Sequence, residues 1–70
     1  MQPLSKIQYE TLEYIKSYKL ANGYMPTQKE IGIHFKISLG GATGQRMKKL
    51  IEKGYIQRTQ GPRGYAIIEN

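Results

Sequence analysis

Seventy residues permit one domain, expected to span residues 1–70, and a chain of this length buries only about 60% of its unfolded surface. With no Cys and one His, a disulfide framework is excluded and neither a metal site nor a cofactor is expected. The formal charge of +6 is uneven: residues 1–35 carry four Lys against Glu10, Glu13 and Glu30, while residues 36–63 carry seven Lys and Arg against Glu52 alone. No apolar run approaches the ~18 residues of a membrane span and no signal-peptide pattern opens the chain, so a cytoplasmic location with no membrane role is expected.

The first predicted helix runs from Leu4 to about Asn22, with Ser5 as N-cap and with Leu12 and Ile15 on one stripe. Asn22-Gly23 ends it, and Pro26 forbids continuation into the next helix. Thr27 to Phe35 reads as a short second helix: Thr27 and Glu30 have the spacing of a capping box, and Ile31 and Phe35 face inward at i, i+4 with Ile37 packing beside them. Ser38-Leu39-Gly40-Gly41 reads as the turn into a third helix from about Ala42 to Lys53, stopped by Gly54. Met47, Leu50 and Ile51 form its apolar stripe. Gly44 costs that helix about 1 kcal/mol relative to Ala, which means either a loose first turn or a close approach by another helix or a sugar-phosphate backbone.

Beyond Gly54, Tyr55 to Gln60 and Gly64 to Ile68 have strand composition, and Gly61-Pro62-Arg63-Gly64 between them reads as a tight turn with Arg63 at its tip. The expected fold is mainly α with a small β-hairpin, a three-helix winged helix-turn-helix.

A helix that is apolar on one side and cationic on the other suits packing on a small core while facing a polyanion. On a helical wheel centred on Met47, Gln45 and Lys49 point away from the core, Lys48 lies on one flank, and Arg46 and Lys53 lie on the other. The N-terminal residues of such a helix reach base edges, so Gly41, Ala42 and Gln45 are the expected readers, with Gln45 suited to an adenine edge and Ala42 to a thymine methyl. Thr27 at the second helix start, Arg46, Lys48, Lys49 and Lys53 on the third helix, and Arg63 at the hairpin tip are the expected phosphate contacts. The seven aromatics are weighed against single-strand stacking. Phe35, Tyr55 and Tyr65 sit at core-pattern positions, which favours packing, and His34 reads as a surface residue.

Leu4-Ser5, Gly23-Tyr24-Met25-Pro26-Thr27 followed by Glu30-Ile31, Lys48-Lys49-Leu50 with Lys53-Gly54-Tyr55-Ile56, and Arg63-Gly64 together resemble the N-terminal DNA-binding domain of the LexA repressor family. The resemblance covers almost the whole chain. It implies a three-helix winged fold in which Leu39, Gly41, Ala42, Gly44 and Gln45 read the major groove of an operator. LexA-type domains carry a more polar stretch at the start of the recognition helix than Leu39-Gly40-Gly41 and Gly44 supply, so the family's operator is not carried over. The family's self-cleaving peptidase domain, with its Ser-Lys dyad and main dimer interface, is not within these residues, and self-cleavage is not expected.

The expected function is that of a sequence-specific double-stranded DNA-binding transcriptional regulator of the repressor type, with a homodimer on a palindromic site or a protein partner in transcription as arrangements it would allow. The alternative is a winged-helix protein-protein module that binds another repressor, a polymerase or a replication protein. No catalytic residues are assigned, because no nucleophile-base pair, metal cluster or phosphate loop is visible, and an enzyme is not expected.

Overall fold

Ser5 stops the chain in an extended conformation, and its hydroxyl accepts a hydrogen bond from the Gln8 N–H while the Gln8 side chain accepts one from the Ser5 N–H at 3.0 Å. That reciprocal box opens α1 (Lys6–Asn22), which Gly23 closes at φ 82°, a left-handed conformation that glycine adopts without a Cβ penalty. The computed structural model describes residues 3–60 and 64–68, with residues 39 and 40 described by their backbone only.

After a connection in which Met25 and Pro26 are themselves buried, Thr27 opens α2 (Gln28–Phe35) through a second capping box with Glu30. The Thr27 hydroxyl accepts from the Glu30 N–H at 3.1 Å, and a Glu30 carboxylate oxygen accepts from the Thr27 N–H at 2.7 Å. Lys36 then ends the helix in the left-handed region at φ 58°, unusual for a residue with a side chain.

The next helical segment differs from its expected form. A π-helical turn occupies Leu39–Thr43, and the regular helix α3 spans Gly44–Glu52, where the sequence predicts one helix from about Ala42. The Thr43 N–H donates to the Ser38 carbonyl five residues back at 3.1 Å, while the Ser38 hydroxyl caps the turn by accepting from the Ala42 N–H. The expected link is therefore helical from Leu39 to Gly41, and the chain begins to wind about three residues early.

The strands β1 (Ile56–Arg58) and β2 (Tyr65–Ile67) pair antiparallel, with Ile56 opposite Ile67, Gln57 opposite Ala66 and Arg58 opposite Tyr65. Backbone bonds from Ile68 to Tyr55 and from Thr59 to Gly64 continue the ladder at both ends. The predicted turn over residues 61–63 lies outside the described residues.

Leu12 and Ile15 of α1, Met25, Ile31 of α2, Met47 and Leu50 of α3, and Ile56 of β1 form one buried cluster. Burying a side chain of this size contributes about 1.5–3 kcal/mol, so these seven residues hold the three helices to the hairpin. Phe35, Ile51, Tyr55 and Tyr65 pack at its edge, partly exposed, and Ile37 is half-buried.

Candidate nucleic-acid interface

α3 is held from behind by Met47 and Leu50, 1% and 0% exposed, and this orientation decides which side chains reach solvent. Gln45, Lys48 and Lys49 are exposed, together with Gly41 on the preceding π-helical turn. Ala42 and Gly44 are half-buried beside them. The predicted readers Gly41, Ala42, Gly44 and Gln45 thus share one end of the α3 segment, and Leu39 opens that same turn.

Gly44 has a helical backbone, φ −59° and ψ −40°, and a Cβ built on it would meet no atom within 4 Å. Among the described residues no other element packs against it, which leaves a loose turn or an approach from outside the chain. A Cβ on Gly41 would meet the Ser38 hydroxyl oxygen at 3.2 Å, so the absence of a side chain there protects the cap.

The cations divide into two groups. Lys48 and Lys49 stand free enough to meet a backbone: Lys49 Nζ lies 3.6 Å from the Glu52 carboxylate, but both side chains are about half exposed, and such a pair contributes about 0–1 kcal/mol. Arg46 and Lys53 are engaged with the rest of the chain. The Arg46 guanidinium lies 4.8 Å from the Phe35 ring centroid and donates to the buried Thr11 hydroxyl at 3.1 Å, joining α3 to both other helices. Lys53 Nζ donates to the Pro3 carbonyl at 3.0 Å and to the Gln8 side-chain oxygen at 2.6 Å, closing the far end of α3 against the start of α1. Phosphate contacts from these two require giving up, or sharing, bonds already made.

Thr27 is similarly committed. Its hydroxyl and N–H belong to the capping box, and the Glu30 carboxylate already places negative charge at the α2 N-terminus, which leaves less attraction for a phosphate than an uncapped helix start offers. Arg63 lies outside the described residues. Among the residues that the sequence reading did not single out, Ser38 caps the reading segment and Arg58 sits on the hairpin 5.9 Å from the Tyr65 ring centroid. A Ser directly before a glycine-rich helical start is a signal that the sequence does offer. Tyr65 in turn accepts a short hydrogen bond from the Gln28 side chain, which ties the wing to α2.

Three helices, the second and third joined by a tight winding turn, followed by an antiparallel hairpin, define a winged helix-turn-helix. A family model described as LexA DNA binding domain matches residues 1–64. The chain is 36% identical over 69 residues to LexA repressor 1 of Geobacter sulfurreducens, and 38% identical over 68 residues to the LexA repressor of Petrotoga mobilis; both alignments cover 97% of this chain. A LexA repressor of Thermosipho melanesiensis is 40% identical over 58 residues, 83% of the chain. The chain belongs to the LexA DNA-binding-domain family. It spans about a third of the length of these relatives, 34% of the first and 33% of the second. Among the described residues, no helix is long and apolar enough to cross a membrane.

Proposed function

We propose that this chain is a sequence-specific double-stranded DNA-binding module of a transcriptional repressor, acting in the cytoplasm, with α3 and the turn before it entering the major groove. The observation that carries this reading is the outward end of the reading segment: exposed Gly41 and Gln45 with half-buried Ala42 and Gly44 around the π-to-α junction, Lys48 and Lys49 beside them and the core directly behind. Gln45 supplies the bidentate hydrogen-bonding group, suited to adenine N6 and N7, and Ala42 the apolar contact suited to a thymine methyl. Lys48 and Lys49 hold the backbone, with Arg63 of the wing reaching phosphate or a narrow minor groove. A homodimer would set two such segments on a palindromic operator.

The test is selection from a random duplex pool, followed by a salt titration on the enriched and a scrambled duplex. Enrichment of an A·T-containing half-site is expected, with affinity falling by about 0.9 logarithmic units per phosphate contacted for each tenfold rise in salt. Gln45→Ala is expected to relax preference at one base pair by about 1–3 kcal/mol. The small side chains at Gly41, Ala42 and Gly44 favour the protein-protein module as the second reading. A pool that shows no enrichment, with binding insensitive to salt, would overturn the DNA-binding reading and leave that alternative standing.

A further inference from the structure

Among the described residues, α1 carries a second face that takes no part in the core. Tyr9, Glu13, Lys16 and Leu20 recur at i, i+4, i+7 and i+11, which keeps them within about 60° of one another on a helix that turns ~100° per residue. Thr11, Leu12 and Ile15 fill the core from a different stripe. All four residues of the outer face are exposed, Leu20 at 90% and Tyr9 at 56%. Beside them, Leu4, Leu12 and Tyr55 line an open groove of about 440 Å³ that Tyr9, Glu13 and Lys16 border.

We propose that this face is a self-association surface and that its occupant is the same face of a second copy of the chain, with the two α1 helices antiparallel about a twofold axis. The positions themselves fix the pairing. Residues 9 and 20 lie equally far from the midpoint between 14 and 15, and so do 13 and 16. An antiparallel copy therefore sets its Leu20 against Tyr9 and its Lys16 against Glu13, and the twofold repeats both contacts. A parallel copy in the same register sets Glu13 on Glu13 and Lys16 on Lys16, which like-charge repulsion opposes.

Spacings of four, three and four residues are those by which two helices bury a single seam against each other. The groove lies at the Tyr9 end of the face, where Leu20 of the second copy descends, so an exposed apolar side chain meets an open recess in which Leu4, Leu12 and Tyr55 supply apolar surface beside Ser5 and Lys6. Exchange of the charged pair costs little, because Glu13 and Lys16 are 3.9 Å apart within one chain and both half exposed. The seam is short and charged at its centre, so the association is weak and falls with salt. It stands apart from the DNA-binding reading and is measured without DNA.

Sedimentation equilibrium of the 70-residue chain at low salt is expected to show the mass rising from 8.0 kDa toward twice that value as concentration approaches ~1 mM, the regime of interfaces below standard size. Glu13→Lys, which leaves only cations across the axis, and Leu20→Asp are each expected to hold the mass at 8.0 kDa, and Glu13→Lys with Lys16→Glu to restore the rise. All of these positions are exposed, so an unchanged melting curve shows that the variants are folded. Because the chain has no Cys, a mixture of Tyr9→Cys and Leu20→Cys chains is expected to form a disulfide-linked dimer under mild oxidation severalfold faster than either variant alone. A mass that stays at 8.0 kDa throughout, a double reversal that does not restore association, or equal cross-linking of mixed and unmixed chains overturns the proposal.

Discussion

The two helix starts that frame the proposed DNA face are built on opposite terms. At α2, side chains are spent on fixing the turn: Thr27 and Glu30 bond each other's backbone, Glu30 also accepts from the Tyr18 hydroxyl at 2.5 Å, and Gln28 reaches across to Tyr65. At the α3 segment, Ser38 caps the first turn, but Thr43 makes no side-chain cap for the regular helix that follows and Gly41 and Gly44 present no side chain at all. Thr43 itself is fully buried, and its hydroxyl finds no hydrogen-bond partner among the described residues. The start of the supporting helix is therefore fixed by its own side-chain bonds, in addition to the buried Ile31. The start of the reading helix has no such lock beyond Ser38 and rests on Met47 and Leu50 behind it, while Arg46 and Lys53 tie down the rest of that helix.

The largest test of that contrast is on the core side. Leu50→Ala is expected to cost about 2–5 kcal/mol, because Leu50 is 0% exposed and its loss leaves a cavity under α3; a denaturant titration measures it, and a cost below ~1 kcal/mol would show that α3 is held by something other than this contact. Next comes the polar lock of α2. Glu30→Ala removes acceptors used by the Thr27 N–H and the Tyr18 hydroxyl, and roughly 1.5–3 kcal/mol is expected from hydrogen bonds to a charged group. Ser38→Ala removes one neutral cap and is expected to cost about 1 kcal/mol. Equal losses in the two variants would erase the distinction between the helix starts. Thr43→Val keeps the shape and deletes the orphaned hydroxyl, so a gain of about 1 kcal/mol is expected in the same titration.

Much of the scaffold was legible because capping and periodicity are local. The Thr27/Glu30 box, the Ser5 cap and the inward stripe of Met47 and Leu50 all follow from residues three or four apart, and the structure places them as expected. The π-helical turn was not legible. Its defining bond runs from Thr43 to Ser38, five residues back, and a five-residue run containing two glycines carries no side-chain period to betray it. The cations were half legible. A helical wheel gives the direction of Cβ, and it separates Lys48 and Lys49 from the core correctly. It does not give the reach of a long side chain, and so it did not show that Arg46 turns back over Phe35 to Thr11 or that Lys53 spans to Pro3 and Gln8. Those contacts depend on how α1 lies across α3, which is a tertiary fact.

The smallest expected effect on stability is the sharpest test of the bare face. Gly44 has helical dihedrals and open space where a Cβ would stand, so Gly44→Ala meets no steric penalty and removes the entropic cost of glycine in a helix. The folded state is expected to gain about 0.5–1 kcal/mol. If the missing side chain exists to let DNA come close, the same variant binds the selected duplex more weakly although its reading helix is better ordered, and that is the expected result. Gln45 one position on and Ala42 two positions back then lose their distance to the bases together, so preference for the selected site falls along with affinity. Should the variant be more stable and bind as well or better, Gly44 serves only to leave the π-to-α junction pliant, and readout rests on Gln45 and Ala42 without a close backbone approach. Because folding and binding are expected to move in opposite directions, a single substitution measured both ways decides between a loose turn and an open one.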